Sequence, residues 1–187
     1  MFLRCFTVTN SCLFLYTADS DFFFAMVPIT AVVHTHNDAL RIGRCLETLH
    51  PCDEIVIVDH GSDDGTVHVA REYGARIVQA AAQRYSIGDW QGAPPGREEW
   101  LLCLSPSESL TESLEASLFE WKSEAVPGSA SVYSVFLREE TAEGWVENPV
   151  AQTRLVPANW QEWAGRFPQN EDSALVLEGE LLRFVLP

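Results

Sequence analysis

Apolar and polar positions fall into a regular pattern only from residue 29 onward. Ile29 to Val33 is a short β-branched run of the kind that a sheet buries on both faces. Ile42, Cys45, Leu46 and Leu49 then fall at i, i+3, i+4 and i+7, one apolar stripe of a helix that Asn37 or Asp38 can cap and Pro51 stops. Glu54 to Asp59 repeats the buried-strand pattern. The turn Gly61-Ser-Asp-Asp-Gly-Thr66 leads into a second helix with Val67, Ala70 and Gly74 on one side, and Ala75 to Val78 is a third strand. Gly88, Gly92, Pro94, Pro95 and Gly96 exclude a long helix over residues 85–98. Trp100 to Leu104 reads as a fourth strand. Leu110, Leu114, Leu118 and Trp121 mark a helix that Thr111 helps begin and Pro127-Gly128 ends. Beyond it, Val132–Leu137, Thr153–Val156, Ala174–Leu177 and Leu181–Val185 are strand-like, with Trp145, Trp160 and Trp163 in their connections as core or cover. Strands alternating with crossover helices predict an α/β fold: a mostly parallel sheet flanked by helices, then a short mixed strand region.

Residues 1–25 do not share this order. They are apolar without a period, and Asp19 and Asp21 interrupt them, so neither a signal-peptide core nor a spanning helix is cleanly present. They are expected to be a non-domain leader, with the natural start at Met26; a degenerate export signal or anchor is the alternative. The remainder, 26–187, has the length of one domain.

Charge narrows the partners. With 27 Asp plus Glu against 12 Lys plus Arg, the formal charge is −15. Such a surface repels phosphate backbones and anionic headgroups, which excludes nucleic acid and stable membrane association as expectations. A small anionic ligand stays compatible, because backbone N–H groups can hold it. Five cysteines, none in a Cys-x-x-Cys pair, predict reduced core thiols and a cytoplasmic protein.

In an open parallel sheet, ligands collect at the carboxyl ends of the strands. Two polar clusters fall there, His34-Thr-His-Asn-Asp38 and Asp59-His-Gly-Ser-Asp-Asp64. Taken alone, Asn37, Asp38, Asp63 and Asp64 read as helix caps. Their order adds more. Ile29-Thr-Ala-Val-Val-His-Thr-His-Asn-Asp38, Asp53-Glu-Ile-Val-Ile-Val-Asp-His-Gly-Ser-Asp-Asp-Gly-Thr66 and Ala70-Arg-Glu-Tyr-Gly-Ala75 together resemble the opening of family 2 glycosyltransferases, nearest the bacterial branch that builds lipopolysaccharide cores. Weaker similarity continues through Gln83-Arg84, Trp100 to Leu110 and Gln152-Thr-Arg-Leu155.

The resemblance implies a GT-A-like domain, with 29–104 as its nucleotide-binding half and 105–187 as a shortened acceptor-side half. It implies a UDP-type sugar donor and a cell-envelope glycan acceptor or a partner subunit. Thr35, Asn37 and Asp38 would line the nucleotide pocket, Asp59 would lie near the base, and Arg84 near the diphosphate. The family carries Asp-x-Asp after the fourth strand to hold Mn2+ or Mg2+; this chain has Ser105-Pro106-Ser107, followed by Glu108. Neutral hydroxyls are weak ligands for a hard cation, so the metal is expected to bind weakly or not at all unless Glu108 or a basic residue such as Arg84 takes its role. His60 stands where many members carry a second aspartate, and no catalytic base is assignable. The rival expectation is a non-catalytic binding or assembly module that keeps the fold. A remoter one is a metal-dependent hydrolase using His34 and His36, although Ala39 stands where the metallo-β-lactamase pattern has histidine.

Overall fold

A computed structural model describes residues 26–80, 99–123 and 132–185 of the chain. The expectations placed on residues 1–25 and on Arg84 lie outside these residues. In chain order the elements are β1 (Ile29–Thr35), α1 (Ile42–Glu47), β2 (Glu54–Asp59), α2 (Thr66–Glu72), β3 (Arg76–Gln79), β4 (Trp100–Leu104), β5 (Glu108–Leu110), α3 (Glu112–Ser123), β6 (Tyr133–Thr141), β7 (Gly144–Glu147), β8 (Gln152–Pro157), β9 (Trp163–Ala164), β10 (Phe167–Pro168) and β11 (Leu175–Arg183).

Among the described residues one sheet runs β3-β2-β1-β4-β8-β6-β11-β5, with β7 on β6. The strands β3, β2, β1 and β4 are mutually parallel, as strand–helix alternation predicts. β1 lies centrally because its pleat serves two cores. Ile29, Ala31 and Val33 pack with α1 and α3 residues such as Ile42, Leu46, Leu114 and Leu118, while Val32 joins Leu101, Cys103 and Val156 on the other face. Trp160 and Trp163 cover that second core. Trp145 is exposed and meets Phe184 edge-on at 5.3 Å.

The α/β class is the one the sequence predicts, and the mixed strands belong to the same sheet. β8 pairs antiparallel with β4 and carries β6, β11 and β5 outward. Three boundaries differ from the sequence reading. Leu110 belongs to β5, where it pairs with Leu181, and α3 begins after it, with Thr111 Oγ1 accepting the Leu114 N–H at 3.3 Å. Asn37 and Asp38 do not cap α1 through their side chains, and its N-cap Arg41 makes no side-chain cap bond. The stretches around Leu177 and Leu181 are one strand, whose register shifts between Val176 and Glu180.

Gly179 makes that shift possible, with φ +95°. A side chain there would meet the backbone of Leu114, with an added Cβ only 2.7 Å from its Cα. Gly179→Ala should therefore lose roughly 2–4 kcal/mol, combining left-handed strain with overpacking. Urea unfolding measures this. Native-like stability would mean that α3 shifts at little cost.

Trp100, Trp121 and Tyr133 tie β4, α3 and β6 together, with ring centroids 5.0 to 5.7 Å apart in edge or tilted contacts. Among the described residues no helix is long and apolar enough to cross a membrane.

Candidate functional site

β1 and β2 run side by side with Thr35 opposite Asp59, so the two polar clusters emerge together at one edge. Asn37 joins them. It adopts φ 58°, a left-handed conformation that asparagine tolerates better than most residues. From there its N–H donates to Ser62 Oγ at 3.0 Å, and its Oδ1 accepts the Asp63 N–H at 2.9 Å. Asp38 folds its own loop. Its Oδ2 accepts from Thr35 Oγ1 at 2.9 Å and from the His36 N–H at 3.0 Å, while its N–H donates to Thr66 Oγ1 at 2.7 Å. Asp64 accepts the N–H groups of Thr66 (2.9 Å) and Ala39 (3.2 Å), crossing between the two loops.

Asp59 is 2% exposed and accepts from the Ser62 N–H, the Ser62 hydroxyl and Gln79 Nε2. Burial alone would raise its pKa. The hydrogen bonds from Ser62, Gln79 and the Gly61 amide outweigh burial and hold the carboxyl below its ordinary value. The structure thus brings Thr35, Asn37, Asp38 and Asp59 to one edge, with Asn37 and Asp59 linked through Ser62.

His34 and His60 form a pair that the sequence did not foreshadow. Their rings stack at 5.3 Å, with His34 Nδ1 and His60 Nε2 3.0 Å apart. Burial first, then the charges of His60 and Arg166, push His34 down to about 4, so it is neutral at neutral pH. His60 is lowered as well, by burial and then by Arg166.

The end of β4 turns on Pro106. Glu108 N–H donates to the Ser105 carbonyl at 2.9 Å, a tight turn with proline at its second position, where a fixed φ suits it. Ser105 Oγ and Ser107 Oγ lie 3.1 Å apart. Glu108 is fully buried and bound on both oxygens. Its Oε2 accepts the Ser105 N–H at 2.8 Å, and its Oε1 accepts from Arg154 Nη2 at 3.0 Å and Arg183 Nη2 at 2.7 Å. Arg154 is itself 1% exposed, donates to the Cys103 carbonyl at 3.3 Å and lies 4.1 Å over the Phe167 ring.

This corrects the expectation that Glu108 could serve a metal: the carboxylate is committed to two guanidinium groups. The residues present do not fit a divalent cation. The strand end offers two neutral hydroxyls, and among the described residues no group of three or more His, Cys, Asp or Glu side chains is placed to hold a metal ion. His34 pairs with His60, which leaves the His34/His36 metal-site expectation without support. The described cysteines Cys45, Cys52 and Cys103 are free thiols, and burial raises Cys103 to about 12.

A cleft of about 270 Å3 opens between the ends of β1 and β4, lined by His34, His36, Asp38, Ser105, Pro106 and Arg166 among others. Arg166 arrives on the β9–β10 hairpin, whose Phe167 joins the second core. No sequence signal singled it out. Arg154, by contrast, lies in a stretch that the resemblance had already marked.

An α/β domain with interlocked polar loops at the carboxyl ends of its parallel strands belongs to the broad class that binds ligands at that edge. Residues 30–88 match the sequence model of Glycosyl transferase family 2. It is 36% identical over 66 residues to the lipopolysaccharide core biosynthesis glycosyltransferase LpsC of Rhizobium meliloti, covering 35% of this chain and 23% of that protein. It is 32% identical over 124 residues to a TPR repeat-containing protein of Synechococcus elongatus (65% of this chain, 30% of the relative). An uncharacterized glycosyltransferase of Rickettsia prowazekii is 26% identical over 99 residues, or 48% of this chain and 31% of that protein. The chain therefore spans less than a third of each of these relatives. Among solved structures, Staphylococcus aureus TarS is 18% identical at a TM-score of 0.39, covering 62% of this chain and 22% of that one. Glucosyl-3-phosphoglycerate synthase from Mycobacterium tuberculosis, in complex with Mn2+, UDP and phosphoglyceric acid, is 16% identical at 0.40 (63% and 45%).

Proposed function

We propose that this chain binds a nucleotide sugar of UDP type at the carboxyl edge of β1 and β2, as a family 2 glycosyltransferase whose site has no carboxylate pair for a metal. One observation carries the reading. Thr35, Asn37, Asp38 and Asp59 meet in a single hydrogen-bonded wall, in the segment that matches the family. In this assignment Asn37 and Asp38 face the nucleoside, and Asp59 holds the Gly61-Ser62 turn against it. Arg84 is assigned to the diphosphate by resemblance alone. A cell-envelope glycan is the proposed acceptor, in line with the lipopolysaccharide-core relative.

The rival reading, a binding or assembly module that does not transfer sugar, is favoured by Ser105 and Ser107 and by the sequestered Glu108. Calorimetry with UDP, with and without manganese, tests the proposal. UDP should bind, Asn37→Ala should weaken it, and manganese should add little. Affinity that appears only with manganese would refute the metal-free site, and no affinity for UDP or uridine would remove the nucleotide reading. Release of sugar from a UDP-sugar then separates transferase from binding module.

A further inference from the structure

At about 270 Å3 the cleft between β1 and β4 is at the small end of ligand pockets, the size for a fragment such as a diphosphate. Its lining has a charge character that the −15 of the whole chain does not share. Arg166 brings a planar guanidinium, whose fork of N–H donors matches phosphate oxygens. The cation acts on both imidazoles of the His34–His60 pair, behind burial as the larger influence on each, while Asp59 acts in the opposite sense on His60.

His34 supplies an independent sign of a missing partner. It is 6% exposed and lines the cleft, yet its Nε2 is buried with no hydrogen-bond partner among the described residues. Its Nδ1 is engaged by His60 Nε2. When His60 donates in that pair, the neutral His34 ring carries its proton on Nε2 and has a donor to offer. Leaving such a group unsatisfied is unfavourable, and a bound acceptor would recover that loss. The Ser105 hydroxyl adds a neutral donor to the same cleft. Asp38 is the one carboxylate among the lining residues, and it is engaged: Oδ2 by Thr35 and His36, while Oδ1 lies 4.0 Å from Arg41.

We propose that Arg166, His34 and Ser105 form a phosphate-binding subsite that holds the diphosphate of a nucleotide sugar without a divalent metal. The identity of the ligand rests on the nucleotide-sugar reading above; the subsite itself rests on the cleft. The arrangement gives a physical reason for neutral residues at the end of β4. A guanidinium neutralises phosphate directly, needs no carboxylate pair beside it, and would repel a cation placed there.

The test is calorimetry in EDTA with three probes, inorganic pyrophosphate, UDP and uridine, on the native chain and on Arg166→Gln. Pyrophosphate and UDP should bind the native chain, and Arg166→Gln should weaken both by about tenfold or more while uridine affinity stays the same. Arg166→Lys, which keeps the charge and loses the fork, should fall between. Nuclear magnetic resonance adds a readout of position: bound pyrophosphate should raise the His34 pKa from about 4. Unchanged pyrophosphate and UDP affinity in Arg166→Gln, or pyrophosphate binding only with manganese, overturns the subsite and leaves the nucleotide reading intact. Arg166-dependent pyrophosphate binding without any uridine binding supports the subsite and removes the nucleoside. Failure of the native chain to bind pyrophosphate at all also overturns it.

Discussion

Glu108→Gln should lose about 3–5 kcal/mol of folding stability, the largest effect expected from any conservative change in this chain. The substitution keeps the shape but removes the charge that faces Arg154 and Arg183, and it turns one of two accepting oxygens into an NH2 donor. Glu108 is fully buried and Arg154 nearly so, so the variant would leave a guanidinium uncompensated in the interior. A domain of this size has roughly 5–15 kcal/mol in all, and the melting temperature should fall by roughly 6–20 °C. The exposed pair Arg76–Glu54 is the control. Both side chains are about 40% exposed, and Glu54→Gln should change stability by less than about 1 kcal/mol. Thermal and urea unfolding of the two variants decide the matter. A small effect at Glu108 would mean that the carboxylate is hydrated and available, which would revive it as a metal ligand. The effect should also reach the cleft. Arg154 stacks on Phe167, next to Arg166, so loss of Glu108 loosens the hairpin that presents the proposed phosphate contact.

The double change Ser105→Asp plus Ser107→Asp should turn the end of β4 into a metal site. The two hydroxyl oxygens already lie 3.1 Å apart, so carboxylates placed there would converge. Without metal they repel each other, and the variant should be less stable than the native chain in EDTA. With manganese it should recover, by about 2.7 kcal/mol when the ion is at a hundred times its dissociation constant. UDP affinity should become manganese-dependent in the same variant. Arg166 lines the same cleft and opposes the incoming cation, so adding Arg166→Gln should tighten manganese further. Thermal shift with and without manganese reads both effects. Absence of any manganese response would show that the Pro106 turn holds residues 105 and 107 in a geometry that cannot share an ion.

Local pattern carried much of the fold and the placement of the site. The bounds of Glu54–Asp59 and Trp100–Leu104 were readable because both are short apolar runs set off by polar or proline-bearing turns. The parallel pairing of these strands with Ile29–Thr35 follows from the helices between them. It brings Thr35, Asn37, Asp38 and Asp59 to one edge, because parallel strands end on the same side. The loss of the Asp-x-Asp pair was visible in three residues. β7 and the β9–β10 hairpin were missed. The first is exposed along its whole length, and the second has only two residues per strand, too few for a period.

What only the tertiary structure decided is which charges meet. Glu108 lies 46 positions before Arg154 and 75 before Arg183, and antiparallel pairing of β5 with β11 brings the second to it. No local rule reports such a distance, so a residue that looked like a surviving metal ligand became part of the scaffold. His34 and His60 meet because β1 and β2 are neighbours, and Arg166 reaches the cleft beside Phe167, which packs partly buried against the second core. Sequence periodicity records which face of an element is apolar, and hence the layers. Contacts between polar side chains on different elements depend on register and chain return, which the sum of many weak packing terms sets and no short window of sequence contains.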